Sequence, residues 1–483
     1  MNYKIIFNTL GRVILLEAAI LLLPAGVAVI YGEDCTAAFV ITALIAAVIG
    51  SSLSLLCRSK KKNLNTRDGF AIVSLSWLAI SLIGALPFVI SGEIPRYVDA
   101  FFETVSGFTT TGASILSDVE SMSRGLLFWR SFTHWLGGMG VLVFLLAILP
   151  ASGNHGGSSL HLLRAESPGP DVGKLVPKMR QTALILYLMY IALTVLDFIF
   201  LLIGKMPLFD AICTAFGTAG TGGFGIRNDS LASYTPFARN VTTIFLFLFG
   251  INFSCYYLLL MRRVKAVLKD EELHAYVGVI LASVAIITVN LMRNGFFATV
   301  GETLHHSFFQ VLCIITTAGY SSTDFNAWPT LSKAILLCLM AMGACAGSTG
   351  GGMKVSRILL LLKSGLRSIR QVIHPQRVQV VKMNGKAVDE KILAATNTYL
   401  AVYAALFVVS FLVISIDGFS MMTNFSSVMS CMNNIGPGFE QAFSNMADFG
   451  PVSKLVLIFD MLAGRLELYP MLVLFLPATW KRK

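Results

Sequence analysis

The chain has 483 residues, 55% hydrophobic and only 13% charged, with 37 Lys+Arg against 26 Asp+Glu and a formal net charge of +11. Soluble domains carry about a quarter charged residues, so a soluble enzyme is excluded. No aromatics are interleaved with the basic residues, and no nucleic-acid role is read. The positive excess lies in a few loops between apolar runs, the pattern of a polytopic helical membrane protein.

Runs near the roughly 20 residues that cross a bilayer begin at 13–30 and 37–56. Lys4 and Arg12 precede the first run as in a signal peptide, but no small-residue cleavage site follows, so it reads as an uncleaved helix. After this pair the same unit appears four times: an apolar helix, a half-length segment ending in a Gly-containing loop, and a second apolar helix. The first is 70–90, 97–108, loop 109–114 and 125–149; the second is 182–203, 207–218, loop 220–224 and 238–260. The third is 276–291, 303–315, loop 316–321 and 332–362; the fourth is 394–416, 421–432, loop 433–439 and 452–476. The chain divides into 1–66, 67–155, 156–268, 269–391 and 392–483.

Basic clusters at 58–62, 164–180, 262–265, 354–391 and 481–483 flank these units. All face the cytoplasm if each unit crosses twice and its 12-residue middle segment dips in and returns, with both chain ends cytoplasmic. The loops align as Thr110-Thr111-Gly112, Thr221-Gly222-Gly223, Thr317-Ala318-Gly319 and Asn434-Ile435-Gly436. Non-helical backbone at membrane depth is tolerated only where it is buried in protein or lines a water-filled path. Converging on one axis, four such loops would present rings of carbonyls to a cation, with the negative ends of the short helices aimed at it.

The last helix of the third unit is interrupted by Gly343-Ala-Cys-Ala-Gly347-Ser-Thr-Gly350-Gly351-Gly352. Five glycines in ten residues, at about 1 kcal/mol each against Ala, do not persist as helix. The break predicts a mobile loop below the filter; a packing kink is the alternative. A phosphate loop is not read, because Met353 separates Gly352 from Lys354, Val355 replaces Ser/Thr and no strand precedes. Lys354 reads either as a gate charge or as a snorkelling lysine.

Within 452–476, Asp460, Arg465 and Glu467 are expensive unless they face a cavity or a partner. Asp460 and Arg465 are five apart, beyond contact spacing on one helix. Glu103 and Asp210 sit near the outer mouth, where they either gather cations or bond locally. Trp129, Arg130, His134 and Trp135 read as an interfacial belt. His305, His306 and Glu302 lack a third metal ligand and read as interfacial or capping residues. The eight cysteines form no C-x-x-C pair and read as small buried hydrophobes.

The four loops, together with Trp129-Arg-Ser-Phe-Thr-His-Trp-Leu-Gly-Gly-Met-Gly140, Gly250-Ile-Asn-Phe253, the 346–354 stretch and Gly464-Arg-Leu-Glu-Leu-Tyr-Pro470, resemble the Trk/Ktr/HKT superfamily of K⁺ transporters over essentially the whole chain. The N-terminal pair is similar to the TrkH-type branch. The resemblance implies an all-α polytopic protein of two N-terminal helices plus four M1–P–M2 repeats (membrane helix, re-entrant pore helix, membrane helix) around a pseudo-fourfold pore. It implies a bacterial inner-membrane homodimer that carries K⁺ and binds no organic cofactor of its own. Control would come from a separate cytoplasmic TrkA-type ring binding NAD or ATP. In this superfamily Ser at the first filter glycine goes with Na⁺, so Gly112 implies K⁺. The resemblance places Arg465 at the pore's narrow region beside an intramembrane loop; a salt bridge to another helix is the competing role. The second and fourth loops depart from the Thr-Thr-x-Gly pattern.

Two rival functions fit less well. A coupled solute transporter shows inverted paired repeats with midplane carboxylates, whereas these repeats are parallel and fourfold. An intramembrane enzyme needs a catalytic constellation such as H-E-x-x-H or G-x-S-x-G, and neither is present.

Overall fold

The computed structural model describes residues 1–58, 66–140, 179–377 and 379–480. The part of the expected 125–149 helix beyond 140, and most of the basic clusters at 58–62, 164–180 and 481–483, lie outside these. Among the described residues, six helices are long and apolar enough to cross a membrane by length and composition, and one further apolar helix pair is sharply bent.

α1 (Tyr3–Ile20), α2 (Leu22–Tyr31) and α3 (Thr36–Leu56) form the N-terminal pair, its first member broken at Leu21. α1 and α3 approach closely at Gly11 and Gly50: a Cβ on either would come within 2.8 Å of the other's chain. Small residues allow such backbone contact where lipid gives helices no hydrophobic drive to associate.

The first repeat holds α4 (Thr66–Gly84), α5 (Leu86–Ile90), the short α6 (Tyr97–Phe108) and α7 (Arg124–Gly138). The second holds α8 (Met179–Ile203), short α9 (Leu208–Gly220), α10 (Pro236–Phe249) and α11 (Phe253–Leu260). The third holds α12 (Glu271–Arg293), short α13 (Val300–Ile315), α14 (Thr330–Met342) and α15 (Val355–Ile373), then a two-stranded turn, β1 (Lys382–Met383) with β2 (Lys386–Ala387). The fourth holds α16 (Glu390–Ile414), short α17 (Met421–Asn433), α18 (Pro451–Arg465) and α19 (Tyr469–Phe475). Side chains start several of these helices: Thr299 accepts from Glu302 N at 3.2 Å and Ser420 from Thr423 N at 3.0 Å, satisfying donors that a helix start leaves open.

Beyond the interruptions at Leu21 and Ala85, two further runs expected as single spans are broken. α10 and α11 meet at 84°, because Asn252 caps α11 through Ser254 N at 2.8 Å and the Gly250 carbonyl accepts Cys345 N of the interrupting loop at 3.1 Å. α18 stops at Arg465, where Glu467 and Leu468 turn left-handed (φ 61° and 36°) before Pro470 opens α19.

The repeats interlock in a circle. One buried cluster joins Val105 and Phe108 of the first repeat to Met432 and Met461 of the fourth. Another joins Leu312 to Ile435, and a third joins Tyr190 to Phe309 and Tyr320. Phe132 of the first repeat packs on Phe216 of the second at 5.3 Å, closing the ring.

Candidate functional site

Each short helix ends in the same backbone device. Thr110, Thr221, Thr317 and Asn434 are left-handed, with φ of 55°, 52°, 60° and 55°. Their N–H groups donate three residues back, to Gly107, Thr218, Ile314 and Cys431, at 3.1, 3.0, 3.0 and 3.3 Å. The next N–H, of Thr111, Gly222, Ala318 and Ile435, donates five residues back, to Ser106, Gly217, Cys313 and Ser430, at 2.9, 2.8, 2.9 and 2.9 Å. This is the Schellman cap, built four times with Thr or Asn where Gly is usual. The third residue is left-handed again: Gly112, Gly223, Gly319 and Gly436 have φ of 79°, 79°, 72° and 105°.

These glycines face carbonyls. A Cβ on Gly112 would overlap the Gly222 carbonyl oxygen, one on Gly223 that of Ala318, and one on Gly319 that of Ile435. A Cβ on Gly436 would lie 2.7 Å from the Thr111 carbonyl oxygen. The contacts run from first loop to second, third, fourth and back to first, so the four triplets form one closed ring in matched register. The four glycines also line one cavity of about 140 Å³, together with Pro437, Arg227 and Asn228.

The glycine-rich loop between α14 and α15 lies against this ring on the other side. Gly351 N donates to Thr317 Oγ1 at 2.6 Å. A Cβ on Gly350 would sit 2.8 Å from the Thr316 carbonyl, and one on Gly351 2.5 Å from that of Asn433. Gly343, Gly347 and Gly352 are left-handed (φ 76°, 69°, 75°), as is Lys354 (φ 70°). The loop is tied down at its base: Ala346 N and Ser356 N donate to Glu272 at 2.7 and 3.1 Å, and Phe253 N donates to Gly347 O at 3.0 Å. Lys354 is buried, with its Nζ donating to Gly350 O. Arg465 donates to Thr349 O at 2.8 Å and to the carbonyls of Gly137 and Gly138 at 2.5 and 2.9 Å. It therefore joins the loop to the end of α7.

The TrkH family model, described as a cation transport protein, matches residues 36–482. This chain belongs to the TrkH family. It is 40% identical over 486 residues to the Trk system potassium uptake protein TrkH of Salmonella typhimurium, and 38% identical to the protein of that name from Escherichia coli K12, with full coverage of each chain in both cases. The crystal structure of the potassium transporter TrkH from Vibrio parahaemolyticus superposes with a TM-score of 0.90, at 32% identity and full coverage of both chains.

In this TrkH-family chain three of the four residues read as an interfacial belt, Trp129, Arg130 and His134, are interior, while Trp135 is half-buried. Trp129 and His134 are fully buried and Arg130 is 4% exposed. Trp129 donates to Gly84 O at 3.0 Å. Glu103, read as either a cation collector or a locally bonded group, is the latter. It pairs with Arg130 at 2.5 Å and accepts from Ile115 N at 2.9 Å, just beyond the first triplet. Arg130 also reaches Gly225 O and lies 3.6 Å over the Phe224 ring. The belt reading failed because an Arg-Trp-rich helix start looks alike whether it faces lipid headgroups or a buried polar wall. Asp210 is likewise bonded locally, accepting from Tyr234 OH at 2.7 Å. Asp460 accepts from Ser410 at 2.8 Å, and Glu467 pairs with Arg357, which lies 4.3 Å over Tyr399. His306 bonds Ser322 at 2.9 Å. Among the described residues no His/Cys/Asp/Glu group could hold a metal ion. The snorkelling alternative for Lys354 is overturned, because its ammonium turns back into the loop.

Proposed function

We propose that the chain conducts K⁺ across the bacterial inner membrane, with Thr110, Thr111, Gly112, Thr221, Gly222, Gly223, Thr317, Ala318, Gly319, Asn434, Ile435 and Gly436 forming the selectivity filter. The observation that carries this reading is the closed ring of four triplets, each left-handed at its first and third residues, with each third-position glycine set against its neighbour's carbonyl. Full-length relatives named for potassium uptake point to the ion. A dehydrating K⁺ exchanges water for these carbonyls, while α6, α9, α13 and α17 aim their partially negative C-terminal ends at the same point. Residues 1–66, 67–155, 156–268, 269–391 and 392–483 are the units we assign to the N-terminal pair and the four repeats.

The loop carrying Gly343, Gly347, Gly350, Gly351, Gly352 and Lys354 is the gate, closed beneath the ring. Arg465 latches it through Thr349 O and places a positive charge on the cation path. Opening requires those carbonyl contacts to release. Tyr3 OH donates to Trp480 O at 2.5 Å, which brings the two described ends together; with the basic 354–391 segment, this supports cytoplasmic chain ends. A homodimer, controlled by a TrkA-type ring that binds NAD or ATP, completes the reading.

The test is cation flux in liposomes for wild type and Gly112→Ser. K⁺-selective flux that loses about tenfold in K⁺/Na⁺ preference in the variant, the scale of about 1.4 kcal/mol, supports the filter. Absence of cation flux from folded protein, with and without its partner, rejects it.

A further inference from the structure

We propose that His134 is a positioning residue that sets the second filter loop against the first, and that it determines cation selectivity as a neutral imidazole protonated on Nδ1. The inference rests on reading the ring as a K⁺ filter.

His134 lies on α7 and is fully buried. Its Nε2 is 3.2 Å from the backbone nitrogen of Phe224. A backbone N–H can only donate, so Nε2 must carry a lone pair. The ring proton then resides on Nδ1, 2.8 Å from the Gly107 carbonyl oxygen, to which it donates. Only this tautomer satisfies both contacts; an imidazolium would set a proton against the Phe224 N–H.

Both partners belong to the filter caps. The Gly107 carbonyl also accepts Thr110 N at 3.1 Å, the first bond of the first loop's cap. Phe224 directly follows Gly223 of the second triplet. One imidazole thus joins the entry of loop one to the exit of loop two, and stacks on the Phe224 ring at 4.2 Å and 29°.

A second observation is independent of these bonds. The middle position of the triplet holds Thr111, Ala318 and Ile435 in three loops but Gly222 in the second. A Cβ on Gly222 would overlap the His134 ring, and one on Gly220 the His134 carbonyl oxygen. The second loop's departure from the repeat pattern is therefore a socket shaped to the imidazole. Among the filter glycines, Gly222 has an ordinary negative φ, so it is space rather than backbone conformation that requires glycine there.

His134→Phe keeps the ring and its stacking and removes both hydrogen bonds; His134→Gln keeps a donor and an acceptor. In liposomes the K⁺/Na⁺ permeability ratio of His134→Phe is expected to fall about tenfold, the scale of one or two net hydrogen bonds, with K⁺ flux retained. His134→Gln is expected to recover part of the ratio. A wild-type ratio in folded His134→Phe overturns the proposal, as does equal loss in both variants. If neither variant folds, the ¹⁵N spectrum of labelled wild type decides. An unprotonated Nε2 with a protonated Nδ1, assigned through contact with Phe224, is expected; an imidazolium or Nε2–H form overturns the proposal. Absence of K⁺ flux in the wild type would reject the filter reading and the selectivity role with it, while the nitrogen spectrum still tests the geometry.

Discussion

Three threonines and an asparagine hold left-handed backbone at the tip of each short helix. For an L-residue that conformation costs about 1–2 kcal/mol, and it persists where surrounding structure over-determines it. Here two backbone hydrogen bonds per cap do so. Side chains behind the ring are equally committed: Glu103 and Arg130 form an ion pair whose side chains are 0% and 4% exposed. Removing one partner of such a pair strands the other charge, at about 3–5 kcal/mol. Glu103→Ala is therefore expected to lower stability by that amount, read as an earlier thermal unfolding midpoint in detergent. Replacing the exposed Asp34 serves as the control that should not move it.

At the scale of elements, the half-length helices were legible because 12 residues cannot span a bilayer and each run ends in Thr-x-Gly or Asn-x-Gly. The break between Met342 and Val355 was legible because five glycines cannot stay helical. The breaks at 250–252 and 466–468 were not, since they depend on which carbonyl meets which loop. The contacts of Arg465 with the glycine-rich loop depend on tertiary placement in the same way, and we propose that they hold that loop closed. Charge-assisted hydrogen bonds contribute about 1.5–3 kcal/mol each, so losing even one shifts a closed–open equilibrium about tenfold or more. Arg465→Ala is expected to raise resting K⁺ flux by at least that factor with an unchanged K⁺/Na⁺ ratio. Unaltered resting flux would mean that the latch lies elsewhere.

For the whole molecule, we propose the long basic segment after the glycine-rich loop as the docking handle for an external regulator. Arg367 is engaged by Glu390, while Arg370 and Arg377 are exposed. Neutralising Arg367, Arg370 and Arg377 together is expected to abolish co-purification of the nucleotide-binding partner and leave unregulated flux intact. Retained co-purification would remove this segment from the docking surface. Membrane embedding, four repeats, the positions of all four triplets and the glycine-rich loop were determined by the sequence alone, because hydropathy, segment length and backbone-breaking residues are local properties. Only the tertiary structure decided that the triplets share one register, that Glu103 and Arg130 face each other, that Lys354 turns inward and that His134 fills the space left by Gly222. Each of those depends on atoms brought together from segments far apart in the chain, and no local periodicity carries that distance.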